Sequence, residues 1–502
     1  MDHLKAIVST LDKESIREFS TFINRMKKKQ GRKDLELFEY LLIDEGQTRK
    51  SKIEKSISSN TVAYYALRRR LLKHLTDFLV LKQMDNDPTA AAGLMGQISL
   101  TRYLFRQNRP EQALYYLRKA EKKAKEAEQF GLLVNIYLLR IEFAFLTPEI
   151  DISDVVEQLR IARQKATEED NASIAFGLIR QALLQQKQKG QQLEIAATIR
   201  HTFKAFGIQE TILERPKLLY MVLAITRTVY LARKDFFAFE PYIIDQYKAI
   251  KQTAFTVHNH FYKLSLLYMI AHVLYRNRKF SETRKYLETF EQELEAFNGI
   301  HKKDFYPKYI MLLAAVYNYE GNVDQAIQLY DAFYSEGLKT NVKDSLNLSL
   351  NLAVYYFNKK HFEKTNELLI SLQKDKWCEK QMGKEWMLKR HIIEMLTQYE
   401  LGNIEITLNR IRSIERYYAV LFELPLYRRV KRFLKFVKLY ITDPEELTED
   451  NFFSRLTANM ILPPEEQEDT QTMAFYCWLK SKILKKDYYT ILLETVNFPI
   501  FS

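Results

Sequence analysis

Apolar and polar residues alternate through most of the chain with the spacing of α-helices. In residues 316–330, VYNYEGNVDQAIQLY, Tyr317 precedes a glycine at Gly321, and Ala326 and Tyr330 follow that glycine. Residues three, four and seven positions apart share one face of a helix, and a glycine accommodates the backbone reversal between two helices. The pattern therefore predicts two helices that are joined by a tight turn and pack against each other as a hairpin.

The same frame of small and aromatic residues around a turn recurs along the sequence. Its turn positions are Asn108, Lys234, Arg278, Gly321, Lys360 and Gly402. From residue 234 onward these positions are about 42 residues apart. Extending this spacing predicts further turns near Ile150, Gly190, Pro444 and Lys486. Small residues permit two helix axes to approach closely, and because one hairpin cannot bury its own apolar face, we expect the hairpins to stack.

This frame resembles the tetratricopeptide (TPR) consensus, in which a small residue, an aromatic residue, a turn glycine and an alanine follow in order, as at Ala314, Tyr317, Gly321 and Ala326. The resemblance covers about residues 95–440. The unit is longer than that of the family, about 42 residues against about 34, and threonine often replaces the second small residue. The resemblance implies an all-α fold, an α-solenoid of stacked antiparallel helical hairpins with long helices.

Both ends of the chain depart from the repeat. Four helices are predicted before residue 87, at about 3–11, 14–29, 33–43 and 60–83, with a shorter piece near 48–57. Asp87-Pro88 is expected to end the last of them. The expected organisation is a helical N-terminal module at 1–87, a linker at 88–96, the TPR-like solenoid at 97–440, and degenerate repeats or a cap at 441–502.

The composition supports a helical chain. The 502 residues include only 13 glycines and 11 prolines, well below average frequencies of about 7% and 5%. So few turn residues disfavour an all-β sandwich or a nucleotide-binding sheet with glycine-rich loops. With 47% hydrophobic and 28% charged residues, the chain is expected to bury a large core and not to be disordered.

Basic residues are clustered in the N-terminal module of a chain whose net charge is +13. The cluster consists of Lys27–Lys29 and of Arg68, Arg69, Arg70 and Lys73. A short helix followed by a long basic helix is compatible with a helix-turn-helix, but no tight turn with a glycine separates the predicted pieces. We favour a helical cap on the open end of the solenoid over DNA recognition, dimerisation or partner docking.

A second basic cluster lies on an amphipathic helix predicted at PLYRRVKRFLKFVKLY, residues 425–440. Its basic residues are Arg428, Arg429, Lys431, Arg432, Lys435 and Lys438, and its apolar face is Leu426, Val430, Phe433, Leu434 and Val437. Such a stripe can bind a phosphate backbone or another acidic partner. It can equally pair with the acidic segments at 442–450 and 463–470, and we give this solvated or self-paired interpretation more weight.

The sequence contains none of the signatures GxGxxG, GxxxxGK[ST], HExxH or GxSxG. His258 and His260 have no third metal ligand in sequence, and Cys378 and Cys477 are isolated. We therefore expect a non-enzymatic protein with no cofactor and no metal. In the absence of a signal peptide and of an apolar run of 18 residues, we expect a cytoplasmic protein without a membrane span.

The expected function is that of a protein–protein interaction scaffold or adaptor, which holds a partner in the groove of the solenoid. The expected contacts are polar residues on the first helix of each hairpin, namely Asn318, Tyr319, Asn351 and Asn358. One alternative is binding of RNA, DNA or a ribosome through the basic clusters. A second is a TPR-like regulator with an effector N-terminal module. The sequence leaves the partner and the oligomeric state open.

Overall fold

A computed structural model gives the fold. It describes residues 3–8, 10–11, 13–26, 33–43, 61–87, 89–146, 151–189, 201–207, 215–233, 236–250, 255–257, 259–338, 340–372, 375–423, 427–443 and 470–497. Within these ranges every regular element is a helix, which confirms the predicted all-α class. The chain divides into two compact units, Met1–Ala166 and Thr167–Ser502. The boundaries predicted at 87, 96 and 440 divide the chain at other places.

The first unit contains α1 (His3–Val8), α2 (Lys13–Met26), α3 (Lys33–Ile43), α4 (Thr61–Asn86), α5 (Ala91–Arg106), α6 (Pro110–Glu126), α7 (Phe130–Glu142) and a 3₁₀ helix (Ala144–Leu146). The division falls within α8 (Ile152–Lys189). The second unit continues with α9 (Pro216–Arg233), α10 (Phe236–Ala249), α11 (His260–Arg276), α12 (Phe280–Gly299), α13 (Lys302–Tyr319), α14 (Val323–Ser335), α15 (Val342–Asn358), α16 (Phe362–Ser371), α17 (Asp375–Met382), α18 (Lys384–Glu400), α19 (Ile404–Tyr417), α20 (Ala419–Phe422), α21 (Arg428–Thr442), α22 (Thr470–Leu484) and α23 (Tyr488–Asn497).

An aromatic cluster holds the N-terminal helices together. The ring of Phe19 in α2 lies 4.7 Å from Phe38 in α3 and 5.4 Å from Phe78 in α4, and all three side chains are buried. Tilted rings at such distances attract each other in addition to burying apolar surface. The cluster therefore fixes α4, which carries basic residues, against α2 and α3. The helical piece predicted near 48–57 lies outside the described residues.

The break between α4 and α5 is shorter than the linker predicted at 88–96. The carboxylate of Asp87 accepts hydrogen bonds from the backbone amides of Thr89 and Ala92, at 2.9 and 2.7 Å. Partial burial raises the pKa of Asp87, but hydrogen bonds from Thr89, Ala92 and Ala91 outweigh it and hold the pKa below its ordinary value. Because this carboxylate satisfies amides at a helix N-terminus, α5 begins at Ala91 and residues 91–96 are helical.

Consecutive helices pack as hairpins, and their turns lie at residues singled out from the sequence. Asn108, Arg278, Gly321, Lys360 and Gly402 each separate two paired helices, and each has a positive φ angle. At each turn the amide of the next residue donates to the carbonyl five positions earlier, at 2.8–2.9 Å. This is the Schellman arrangement, which ends a helix through a left-handed residue.

The other predicted turns are only partly within the described ranges. The extrapolated turn near Lys486 is observed one residue earlier, where Lys485 has a φ of 52° between α22 and α23. Lys234 lies outside the described residues, although α9 and α10 flank it. Ile150, Gly190 and Pro444 also lie outside them. A further left-handed turn at Glu128, between α6 and α7, was not predicted.

The small residues of the repeat frame are buried where paired helices meet. Fully buried members are Thr101, Ala113, Ala271, Thr283, Ala314, Ala326, Ala353, Thr365 and Thr407. The hydroxyl of Thr283 donates to the carbonyl of Lys279 at 2.8 Å, and Thr365 and Thr407 bond to the carbonyl four residues earlier in the same way. Because the hydroxyl is satisfied inside its own helix, threonine can replace alanine in this close contact.

Candidate binding cavity

The second unit contains a half-open cavity of about 340 Å³. Its wall comes from α11, α13, α15 and α18, which are the first helices of four hairpins, and from α22 and α23. Among the predicted site residues, Asn318, Tyr319 and Asn351 line it. A volume of this size lies at the lower end of the range of ligand sites, about 300–1,000 Å³.

Asparagines connect two neighbouring first helices beside the cavity. The side-chain amide of Asn358 donates to Oδ1 of Asn318 at 2.7 Å, and both side chains are buried. Asn351 is only half-buried, and its amide makes one long hydrogen bond of 3.4 Å to the hydroxyl of Tyr330. Asn318 and Asn358 therefore link α13 to α15, whereas Asn351 retains hydrogen-bonding capacity at the cavity wall.

The cavity wall carries more positive than negative charge. Arg276 of α11, Lys308 of α13 and Lys389 of α18 line it, together with one carboxylate, Asp344 of α15. Asp344 accepts a hydrogen bond from the amide of Asn341 at 2.6 Å and lies 4.0 Å from the ammonium of Lys308. In a concave site with low-dielectric walls, a surplus of one sign concentrates the field and attracts the opposite charge.

A neutral histidine adds a polar group to this wall. Burial lowers the pKa of His272 well below its ordinary value, and the positive charges of Arg227 and Arg276 lower it further. Nδ1 of His272 is buried and has no hydrogen-bond partner among the described residues. The imidazole is therefore uncharged at neutral pH.

Tyrosines form much of the remaining polar wall. They are Tyr268, Tyr275, Tyr319, Tyr355 and Tyr488. Burial raises the pKa of Tyr355 and of Tyr488 well above the ordinary value, so both hydroxyls stay protonated and able to donate hydrogen bonds. The ring of Tyr319 is stacked on Phe280 at 5.8 Å, which restricts its orientation.

The C-terminal hairpin of α22 and α23 forms one side of the cavity through Ala474, Phe475 and Tyr488. The sequence does not predict this contribution, because the expectation for residues 441–502 is degenerate repeats or a cap. A signal was present in MAFYCWL, residues 473–479, whose nearly continuous apolar character indicates a helix that is buried on several sides. Accordingly, α22 supplies residues to both hydrophobic cores of the second unit.

Polar contacts anchor this hairpin at two first helices. The indole of Trp478 donates to a carboxylate oxygen of Glu400 at 2.6 Å, and the ammonium of Lys482 donates to the other oxygen at 2.7 Å. The hydroxyl of Tyr489 donates to the backbone carbonyl of Asn318. The hairpin is therefore held at the C-terminal ends of α13 and α18, next to the cavity.

Helix α21 carries the predicted cationic stripe. Its buried residues are Val430, Phe433, Leu434 and Val437, as predicted, while Leu426 lies outside the described residues. Its exposed basic residues are Arg428, Lys431, Arg432, Lys435 and Lys438, with Arg429 half-buried. Lys431 lies 3.4 Å from Glu423. The acidic segments at 442–450 and 463–470 fall almost wholly outside the described residues, so their pairing with the stripe stays a prediction.

The basic cluster of α4, in the first unit, is partly engaged. Arg68 donates to the hydroxyl of Tyr64 at 3.3 Å, and Arg70 lies 3.6 Å from the carboxylate of Asp34. Its exposed members are Arg69, Arg70 and Lys73. Lys27–Lys29 lie outside the described residues.

In the described part of the chain, no group of three or more His, Cys, Asp and Glu side chains is arranged to hold a metal ion. None of the described helices combines the length and the apolar character needed to cross a bilayer. Cys378 and Cys477 are buried, and burial raises the pKa of both thiols. His260 lies 3.0 Å from Glu293, and His258 is outside the described residues.

No family model, curated protein or solved structure matches this chain.

Proposed function

We propose that this chain is a non-enzymatic scaffold whose second unit binds a segment of a partner protein in the cavity. The observation that carries the proposal is the origin of the cavity lining, which comes from first helices of the hairpins and from the C-terminal hairpin. One helix from each hairpin offers regularly placed side chains to a partner segment. The proposal includes the architecture: the hairpins form a divergent TPR-like solenoid with a repeat of about 42 residues.

The lining also has the chemistry of a peptide-binding surface. Asn351 and the tyrosine hydroxyls offer hydrogen bonds to a peptide backbone, and Met311, Leu312 and Val354 offer apolar contacts. Ligand sites commonly combine such apolar walls with a few placed polar groups. This combination favours recognition of a peptide over chemistry performed on it.

The test is a peptide selection against the full-length protein. A phage library of random nonapeptides is selected on the wild type, and enriched peptides are measured by fluorescence anisotropy against two variants. Ala315→Trp fills the cavity, whereas Ala332→Trp makes the same change at an exposed position of α14. We expect Ala315→Trp alone to lose binding, with an unchanged circular dichroism spectrum.

Two results would contradict the proposal. One is that no peptide is enriched, and the other is that enriched peptides bind both variants as well as the wild type. If Ala315→Trp fails to fold, Val354→Phe narrows the same cavity from α15 with a smaller change in volume.

A second candidate function, binding of a nucleic acid, is favoured by α21. This helix of 15 residues has six basic residues and no acidic one. Arg428 to Lys438 extends over about 15 Å of helix, at about 1.5 Å per residue. Cations arranged in this way can follow a phosphate backbone, and binding would then weaken steeply as salt is raised.

The stripe can be tested with a short labelled RNA and a short DNA duplex, titrated at about 50 and 200 mM salt. The combined variant Arg428→Gln, Lys435→Gln and Lys438→Gln is compared with a control of equal net charge. The control carries Lys285→Gln, Lys303→Gln and Lys343→Gln, all at exposed positions on other helices. Weaker binding in the stripe variant alone would support this function, and equal binding by both variants would exclude it.

A further inference from the structure

The charges of the cavity wall indicate which partner segments it selects. Its cations, Arg276, Lys308 and Lys389, belong to three different hairpins, and Asp344 is the single carboxylate among the described lining residues. Asp344 is already engaged with Asn341 and Lys308. Among the described lining residues, cations therefore outnumber carboxylates, and the low-dielectric surroundings strengthen their field.

The environment of His272 is a second sign of positive potential. Arg227 and Arg276 both disfavour the protonated form of this ring, in addition to its burial. Arg227 belongs to α9 and is not among the described residues that line the cavity. The positive field at the cavity therefore has sources both in the lining and behind it.

The volume of the cavity limits the size of the occupant. At about 340 Å³ the cavity lies at the lower end of the range of ligand sites. It therefore holds a short segment of a partner and not a whole domain.

We infer that the cavity selects a short acidic segment of its partner, with an aspartate or glutamate side chain directed at the cationic wall. The carboxylate is bound by the ammonium group of Lys389, and the hydroxyls of the tyrosines and the amide of Asn351 form hydrogen bonds with the peptide backbone. This inference rests on the proposed function, because it names the chemistry of the segment that the same cavity holds.

The peptides selected from the random nonapeptide library provide the first test. Clones that lose binding in Ala315→Trp are sequenced, and we expect them to be enriched in Asp and Glu. If they are neutral or basic, the inference is wrong while the proposed function stands. If no clone depends on the cavity, both the inference and the proposed function are wrong.

A charge-swap cycle provides the second test. The best acidic peptide is synthesised with Glu or Asp and with the matching amide, Gln or Asn, and both are titrated against wild type, Lys389→Met and Lys343→Met. Lys343 is an exposed lysine of α15 outside the lining, so Lys343→Met controls for the loss of one charge. Hydrogen bonds to charged groups predict a loss of about tenfold or more on removal of either partner.

The outcome of the cycle depends on whether the two changes are coupled. We expect Lys389→Met to lower the affinity for the acidic peptide about tenfold and to leave the affinity for the amide peptide unchanged. Lys343→Met should change neither affinity. Equal losses for both peptides would show that Lys389 acts through packing, and the inference would fall. If Lys389→Met lowers the melting temperature, Lys389→Gln repeats the cycle at the same position with a polar side chain.

Discussion

Removal of the Trp478 side chain should release the C-terminal hairpin from the rest of the second unit. Trp478 is fully buried, and its ring lies 5.2 Å from Tyr399 in a perpendicular arrangement. Its indole donates to Glu400, which also binds Lys482. One side chain thus combines burial, an aromatic contact and a charge-assisted hydrogen bond, all between α22 and α18.

The magnitude follows from these contacts. Truncation of a buried Trp to Ala costs about 3–5 kcal/mol, and loss of a hydrogen bond to a carboxylate costs about 1–3 kcal/mol. Because such contributions are not fully additive, we expect about 5 kcal/mol for Trp478→Ala, which raises the opening equilibrium more than about a thousandfold. Trp478→Phe keeps a ring and should cost about 1–3 kcal/mol, mainly through the lost indole donor.

Hydrogen exchange measured by mass spectrometry distinguishes local release from general destabilisation. We expect Trp478→Ala to remove protection from residues 470–497 and to leave residues 260–299 protected. Trp377→Ala is the matched control, because Trp377 is 41% exposed. Unchanged protection at 470–497, or an equal loss in both segments, would refute the reasoning.

Three further predictions concern a turn, a histidine and an asparagine pair. Lys360 has a φ of 61°, so Lys360→Gly should be more stable in urea than Lys360→Ala by about 1 kcal/mol, and equal midpoints would exclude strain there. Because the pKa of His272 is lowered on folding, the unfolded chain binds more protons below about pH 6.5, so stability falls as pH drops through that value. With His272→Gln, the free energy of unfolding measured by urea titration should depend less steeply on pH below about 6.5. An unchanged pH dependence would contradict this prediction. Asn358→Leu removes the donor to buried Asn318 and should cost about 1–3 kcal/mol, with Asn318→Leu in the same chain costing little more; additive losses would show that the pair is uncoupled.

The turns and close helix contacts could be predicted from sequence because local geometry determines them. A turn at Gly321 or Gly402 needs a left-handed residue, and glycine adopts that conformation without steric cost. A buried contact at Ala314 or Thr365 needs a small side chain, so its residue type is restricted. A short-range sequence pattern therefore predicts the helices, their pairing and the small residues between them.

The cavity could be predicted only in part, because its construction depends on contacts between distant residues. The sequence predicts that Asn318 lies on a first helix. It does not predict the hydrogen bond between Asn318 and Asn358, which is 40 residues later in the chain. It also gave no information that Tyr489 bonds the carbonyl of Asn318 across 171 residues. Such contacts carry no periodic signal. The left-handed turn at Glu128 lies between the turns predicted at Asn108 and Ile150, so the spacing of about 42 residues does not indicate it.

Docking of the C-terminal hairpin and binding in the cavity should be coupled, because Phe475 and Tyr488 belong to both. An acidic peptide that contacts these residues binds the docked state and not the released one. By linkage, a peptide at a concentration one hundred times its dissociation constant stabilises docking by about 2.7 kcal/mol. Amide protection at 470–497 should then rise by up to about a hundredfold where exchange proceeds through release of the hairpin.

The same linkage predicts the converse effect, because coupling between two equilibria is reciprocal. Trp478→Ala should weaken binding of the peptide, although Trp478 is not among the residues that line the cavity. Trp377→Ala should leave affinity unchanged. If the saturating peptide fails to protect residues 470–497, and Trp478→Ala binds it normally, the hairpin only borders the cavity and the peptide is held by the first helices alone.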